Sequence, residues 1–251
     1  MDVEDQPETF KSFDPMAVPW TLGDMVKATS LFLAFLVAIL AVVLATRHLG
    51  VAVSSSAPQQ VIVTATFLVQ DGSFLILVWL FGLRKYRCGW TVLGLRPFSR
   101  RTGCALAAAA LPLAYTFNCL YVGTTRLLGA KPTIPQVVSL FGPGWLGFVF
   151  AFALGVLAAP VIEEIVFRGF LYAGLRQRFG AAWGALGSAA IFAVGHLGLE
   201  AVLPVLFLGL LFAFLYERTQ SLYPGIILHT TVNAIGLSLL YLLQTTGNLS
   251  I

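Results

Sequence analysis

The chain has 251 residues, 58% of them hydrophobic and only 10% charged, with a mean hydropathy of +0.88. Soluble domains carry about a quarter charged residues, so an ordinary soluble fold is excluded and an all-α polytopic membrane protein is expected. A sequence pI of about 9.1 would point to nucleic acid in a soluble chain. Here the basic residues fall in short loops between apolar runs, where they report topology, and no nucleic-acid partner is expected.

Met1 to Asp24 is polar and acidic, and it lacks the basic start and small-residue cleavage site of a secretory signal. It reads as a cytosolic tail (1–24) ahead of a single transmembrane domain (25–251). Ala28 to Thr46 is an uninterrupted apolar run between Lys27 and Arg47, long enough to cross a bilayer core of about 30 Å. After a polar turn at Ser54 to Gln60, a second span at Val61 to Leu83 tolerates Gln70 and Asp71 near its middle. Asp71 is thus an acid at membrane depth, and the simple reading is a satisfied or lumen-facing side chain unrelated to any site. Arg84 to Arg101 carries six Lys and Arg, the strongest cytosolic marker in the sequence. A third span, Ala105 to Val122, has Pro112 as a kink, and a Pro- and Gly-containing connection follows it through Lys131 and Pro143. Trp145 to Ile162, Ala181 to His196, Val202 to Tyr216 and Leu222 to Leu243 complete about seven spans, with six or eight also compatible. An inside N-terminus places twelve Lys and Arg on the cytosolic side against three outside, so the C-terminus is expected outside. In a bacterium this would be the cell membrane. Cys88, Cys104 and Cys119 are odd in number and lack CxxC spacing, which suggests neither a disulfide framework nor a Cys-based metal site.

The chemistry concentrates in Val161 to Tyr172, VIEEIVFRGFLY, where two carboxylates and a guanidinium interrupt apolar sequence. A charge near a bilayer centre costs about 2.5 to 3.5 kcal/mol, which makes such a cluster a functional-site hypothesis. Glu164 and Arg168 are four apart and share a helix face, so they can neutralise each other. Glu163 points about 100° away and has no partner on its own helix, as suits a general base. Glu163 lies sixteen residues before Phe179 and His196 sixteen after Gly180, so a helical hairpin turning at Phe179-Gly180 brings both to one height. His229 and Asn233 share a face of the last helix, and Phe192 and His196 share one of the fifth. A carboxylate, two imidazoles and a carboxamide are parts for activating water and stabilising an oxyanion. Each of these side chains alone could simply be a hydrogen bond between helices, and the three charged groups together could be an ion-pair cluster at a helix end.

EEIVFRG, FAVGH and HTTVN, in that order, resemble the Glu-Glu-x-x-x-Arg, Phe-x-x-x-His and His-x-x-x-Asn motifs of the CAAX prenyl protease and bacteriocin-processing family. The resemblance covers about Trp145 to Leu240, taken here as the catalytic core (145–240), with its cavity among the last four helices. It implies an intramembrane glutamic endopeptidase in which Glu163 with His196 activates water and His229 with Asn233 forms the oxyanion site. Glu164, Arg168 and Phe192 would then be structural and orienting residues. The implied substrate is a membrane-associated peptide or protein, with or without a lipid anchor, and neither a metal nor any other cofactor is expected. Three rivals stay open. A non-catalytic membrane scaffold or regulator could use the same fold. Two His and a Glu could ligate zinc, although HExxH is absent. A transporter is disfavoured, because no inverted repeat appears.

Overall fold

A computed structural model of the chain describes residues 14–48, 59–129, 140–196 and 202–246. The polar turn expected from Ser54, up to residue 58, and the connection through Lys131 lie outside the described residues. All regular structure among the described residues is helical: α1 (Leu22–His48), α2 (Gln59–Val78, continued by a π turn Trp79–Arg84), α3 (Arg100–Leu127), α4 (Gly144–Phe179), α5 (Ala181–Gly195), α6 (Val202–Thr219) and α7 (Tyr223–Thr245). Six of them are long and apolar enough to cross a bilayer, and α5, at 15 residues, falls short. The chain is a multi-pass integral membrane protein by these spans. Its outward surfaces agree: Leu33, Val37 and Leu40 of α1 share a face and are more than half exposed, a face that only lipid would cover at low cost.

The fourth span does not stop at Ile162 but runs unbroken through Glu163 to Phe179 as 36 residues of helix. That is roughly 50 Å, more than the ~30 Å hydrocarbon core, so a projecting end or tilt takes up the excess. Two turns of α4 are widened to π geometry, Ala153–Ala158 and Glu164–Tyr172. The first ends just ahead of Pro160, whose missing N–H cannot close a regular ladder. Gly180, with φ +82°, breaks the helix and starts α5 in the opposite direction.

One end of the bundle is tied by polar contacts. Asp24 accepts from Lys85 Nζ at 2.6 Å and from the Tyr86 hydroxyl at 2.6 Å. Arg96 donates to the carbonyls of Pro15 and Gln220, and the Leu222 N–H donates to the Gly94 carbonyl at 2.9 Å. Arg176 bridges Asp14 at 2.7 Å and Glu217 at 2.7 Å. The basic loop, the α4–α5 tip and the α6–α7 turn therefore share one end, as the expected topology requires of them. The N-terminal approach lies there too, and it is built in. Met16, Val18 and Trp20 are buried in a core with Ile165, Val166, Phe170 and Tyr172 of α4, and Trp20 Nε1 donates to the Phe170 carbonyl at 3.0 Å.

Candidate functional site

The site begins where α4 widens. Glu163 ends a regular stretch, Ala159–Glu163, and Glu164 opens the π turn. Such turns recur at functional sites, and their i to i+5 ladder rotates successive residues by less than an α-helix does. Glu164 Oε1 accepts from Arg168 Nη1 at 3.1 Å, and both side chains are essentially inaccessible, at 1% and 0%. The pairing expected from the i,i+4 spacing is therefore present, fully buried. Arg168 also donates from Nη2 to the Gly209 carbonyl on α6 at 3.2 Å. Its guanidinium lies 4.4 Å from the Phe192 ring centroid on α5 and 4.8 Å from that of Phe212 on α6. Two aromatic faces and two acceptors replace the water that a buried cation has lost.

Glu163 is not left alone. His229, on α7, presents Nε2 to Glu163 Oε2 at 3.5 Å and Nδ1 to Glu164 Oε1 at 3.2 Å. Against a carboxylate acceptor Nδ1 is the donor, which fixes the ring's orientation. The His229 side chain is buried and stacks on Phe212 at 4.7 Å between ring centroids. Helix-face reasoning locates partners on one helix only, so this contact across helices lay beyond it. Glycine makes it possible: a Cβ on Gly225, one turn before His229, would stand 3.1 Å from Glu164 Oε2. Of the two carboxylates, Glu163 alone keeps access, at 23% against 1% for Glu164.

In the hairpin, the Ser188 hydroxyl of α5 donates to the Phe167 carbonyl of α4 at 2.6 Å. His196 caps the C-terminal end of α5. Its Nδ1 lies 2.9 Å from the Phe192 carbonyl, and its ring meets Phe192 edge-on at 4.6 Å. Among the described residues no hydrogen bond or ion pair joins His196 to Glu163. Phe192 touches Arg168, His196 and His229 at once, the last at 6.0 Å edge-on. Asn233 donates from Nδ2 to the Gly155 carbonyl at 2.8 Å, in the first widened turn of α4. The structure thus brings Glu163, Glu164, Arg168, Phe192 and His229 into one cluster between α4, α5, α6 and α7. His196 and Asn233 stand at its margins. Sequence reasoning missed Phe212, Gly209 and Gly225. Phe212 is hidden in an apolar run, but isolated glycines inside helical patterns were a readable sign of close approach. Among the described residues, no group of three or more His, Cys, Asp or Glu is arranged to hold a metal ion.

These features define a polytopic membrane protein with an acid–imidazole site sunk among its last four helices. Residues 144–235 match the family described as Type II CAAX prenyl endopeptidase Rce1-like. Over that segment, which spans all three motifs, the chain is similar to the Rce1-like family, in line with the motif order. No curated protein and no solved structure matches the chain.

Proposed function

We propose that the chain is an intramembrane glutamic endopeptidase that works without a metal and cuts a membrane-associated peptide or protein. The observation that carries the reading is the asymmetry of the adjacent carboxylates: Glu164 is sealed against Arg168, while Glu163 keeps 23% exposure beside His229. Glu163 takes a proton from water, and the resulting hydroxide attacks the scissile carbonyl. His196, in the role the resemblance implies, assists from the end of α5. With Nδ1–H donated to the Phe192 carbonyl, its neutral ring keeps a lone pair on Nε2. His229 and Asn233 line the α7 side, where the oxyanion would form. Glu164, Arg168 and Phe192 hold His229 in place. The N-terminal segment, the basic loop and the α4–α5 tip face the cytosol in this reading, following the twelve-to-three distribution of Lys and Arg. A cytosolic thiol reagent should therefore label a cysteine introduced at Gly180 and not one at Ser54.

Among the described residues His196 bonds the Phe192 carbonyl and not Glu163, which favours the competing reading, a scaffold or regulator that binds a membrane partner through the same helices. Glu163→Gln decides between them, since it keeps shape but removes basicity. We expect cleavage of a fluorogenic peptide ending in a prenylated CAAX box to fall about a hundredfold to ten-thousandfold, with folding intact. Strong chelators should leave the wild-type rate in place. A folded Glu163→Gln protein with full function in cells would establish the scaffold instead, and loss with chelator restored by zinc would establish a metal enzyme.

A further inference from the structure

Asp71 takes no part in the mechanism above. Among the described residues it makes no hydrogen bond, so it stabilises nothing that would repay an acid's desolvation. Its direction is set by its neighbours on α2. Phe67, Asp71 and Phe74 follow i, i+4, i+7 spacing and share one face. Phe67 stacks on Phe141 and packs against the cluster that includes Ala151 and Leu154 of α4, while Phe74 stacks on Phe32 of α1 at 4.3 Å and meets Phe167 of α4 edge-on at 6.2 Å. Asp71 lies between these contacts, so it faces α4 between Leu154 and Phe167, the stretch that contains Glu163. It is half-buried there. The other helix packed on α2 is α1, which has no ionisable residue from Ala28 to Thr46. Glu164 and Arg168 are turned toward each other and toward α6.

We propose that Asp71 is a further carboxyl of the site, the proton-exchange partner of Glu163 supplied from α2. The inference rests on the peptidase reading. Glu163 removes a proton from water as the new C–O bond forms. That proton passes from the Glu163 carboxyl to the Asp71 carboxylate, returns to Glu163, and goes from Glu163 to the leaving nitrogen as the C–N bond breaks. Both carboxylates are thereby regenerated, and one water has been added across the peptide bond. Asp71 thus acts through Glu163 as a positioning and relay residue.

The test uses the full-length protein in liposomes with the prenylated fluorogenic peptide, comparing wild type, Glu163→Gln, Asp71→Asn and Asp71→Glu. Asp71→Asn should lower kcat at least about tenfold with KM unchanged, and Asp71→Glu should restore most of it. Thermal midpoints of both Asp71 variants should match wild type. Wild-type kcat in Asp71→Asn, while Glu163→Gln is inactive, would overturn the relay and leave the peptidase standing. Equal loss in the Asn and Glu variants with lowered midpoints would make Asp71 structural. Full activity of Glu163→Gln would remove the peptidase reading and the relay together.

Discussion

Arg168→Ala removes a cation that four groups surround, and the structure allows the loss to be sized. Breaking a buried ion pair by deleting one partner costs about 3 to 5 kcal/mol, because the remaining charge is left uncompensated. Glu164, 1% exposed, is that charge, and its remaining contact is His229 Nδ1 at 3.2 Å. The Gly209 carbonyl loses its donor at 3.2 Å, about 1 to 3 kcal/mol if it stays dry. The faces of Phe192 and Phe212 lose a cation 4.4 and 4.8 Å away, each contact being of order 0.5 to 2 kcal/mol. Two opposing effects reduce the total. His229 can compensate Glu164 in part, and Arg168 Nε, buried with no partner among the described residues, is no longer a cost. A net loss of about 4 kcal/mol is therefore expected, roughly a thousandfold in the folding equilibrium. Glu163→Gln, by contrast, alters one 3.5 Å contact of a partly exposed group and should cost under about 1 kcal/mol. Folded yield and thermal unfolding in detergent, measured on both variants beside wild type, check the difference. Equal yields and midpoints for the two would refute the view that the buried pair holds α4 to α6.

Gly209→Ala would place a Cβ 2.8 Å from Ala189 Cβ and 3.1 Å from Arg168 Nη2. Overpacking of this kind costs about 1 to 3 kcal/mol, so a lowered melting midpoint is expected, with cleavage reduced through displacement of Arg168. Trp20→Phe keeps a ring against Phe170 but removes the donor to its carbonyl at 3.0 Å, for a loss of about 1 to 3 kcal/mol read by thermal unfolding. Asp14, outside the spans, is held below its ordinary value of 3.8, chiefly by the hydrogen bond from Arg176. Its contribution is present above that value and disappears as pH falls through the lower folded-state value. Being partly exposed, it should amount to less than about 1 kcal/mol. Asp14→Asn should accordingly lower the thermal midpoint at neutral pH and match wild type in strong acid.

Composition alone determined that this chain lives in a membrane, since 10% charge and long apolar runs leave no other solvent for its surface. Helical periodicity determined the Glu164–Arg168 pair and the shared face of His229 and Asn233, because angular position along one helix follows from spacing. The hairpin about Gly180 was legible too. Tertiary structure alone decided that His229 touches both carboxylates, that Arg168 lies between Phe192 and Phe212, and that Asn233 engages a carbonyl of α4. It also decided that residues 14–24, expected as part of a tail, pack into the core beside α4. The physical reason lies in how helices meet. Spacing gives direction about one axis, but rotation and closeness between axes depend on where Gly209 and Gly225 admit a neighbour and where α4 widens at Ala153–Ala158 and Glu164–Tyr172. The glycines act through what packs against them, and the widened turn at Glu164 has no local sequence rule that announces it.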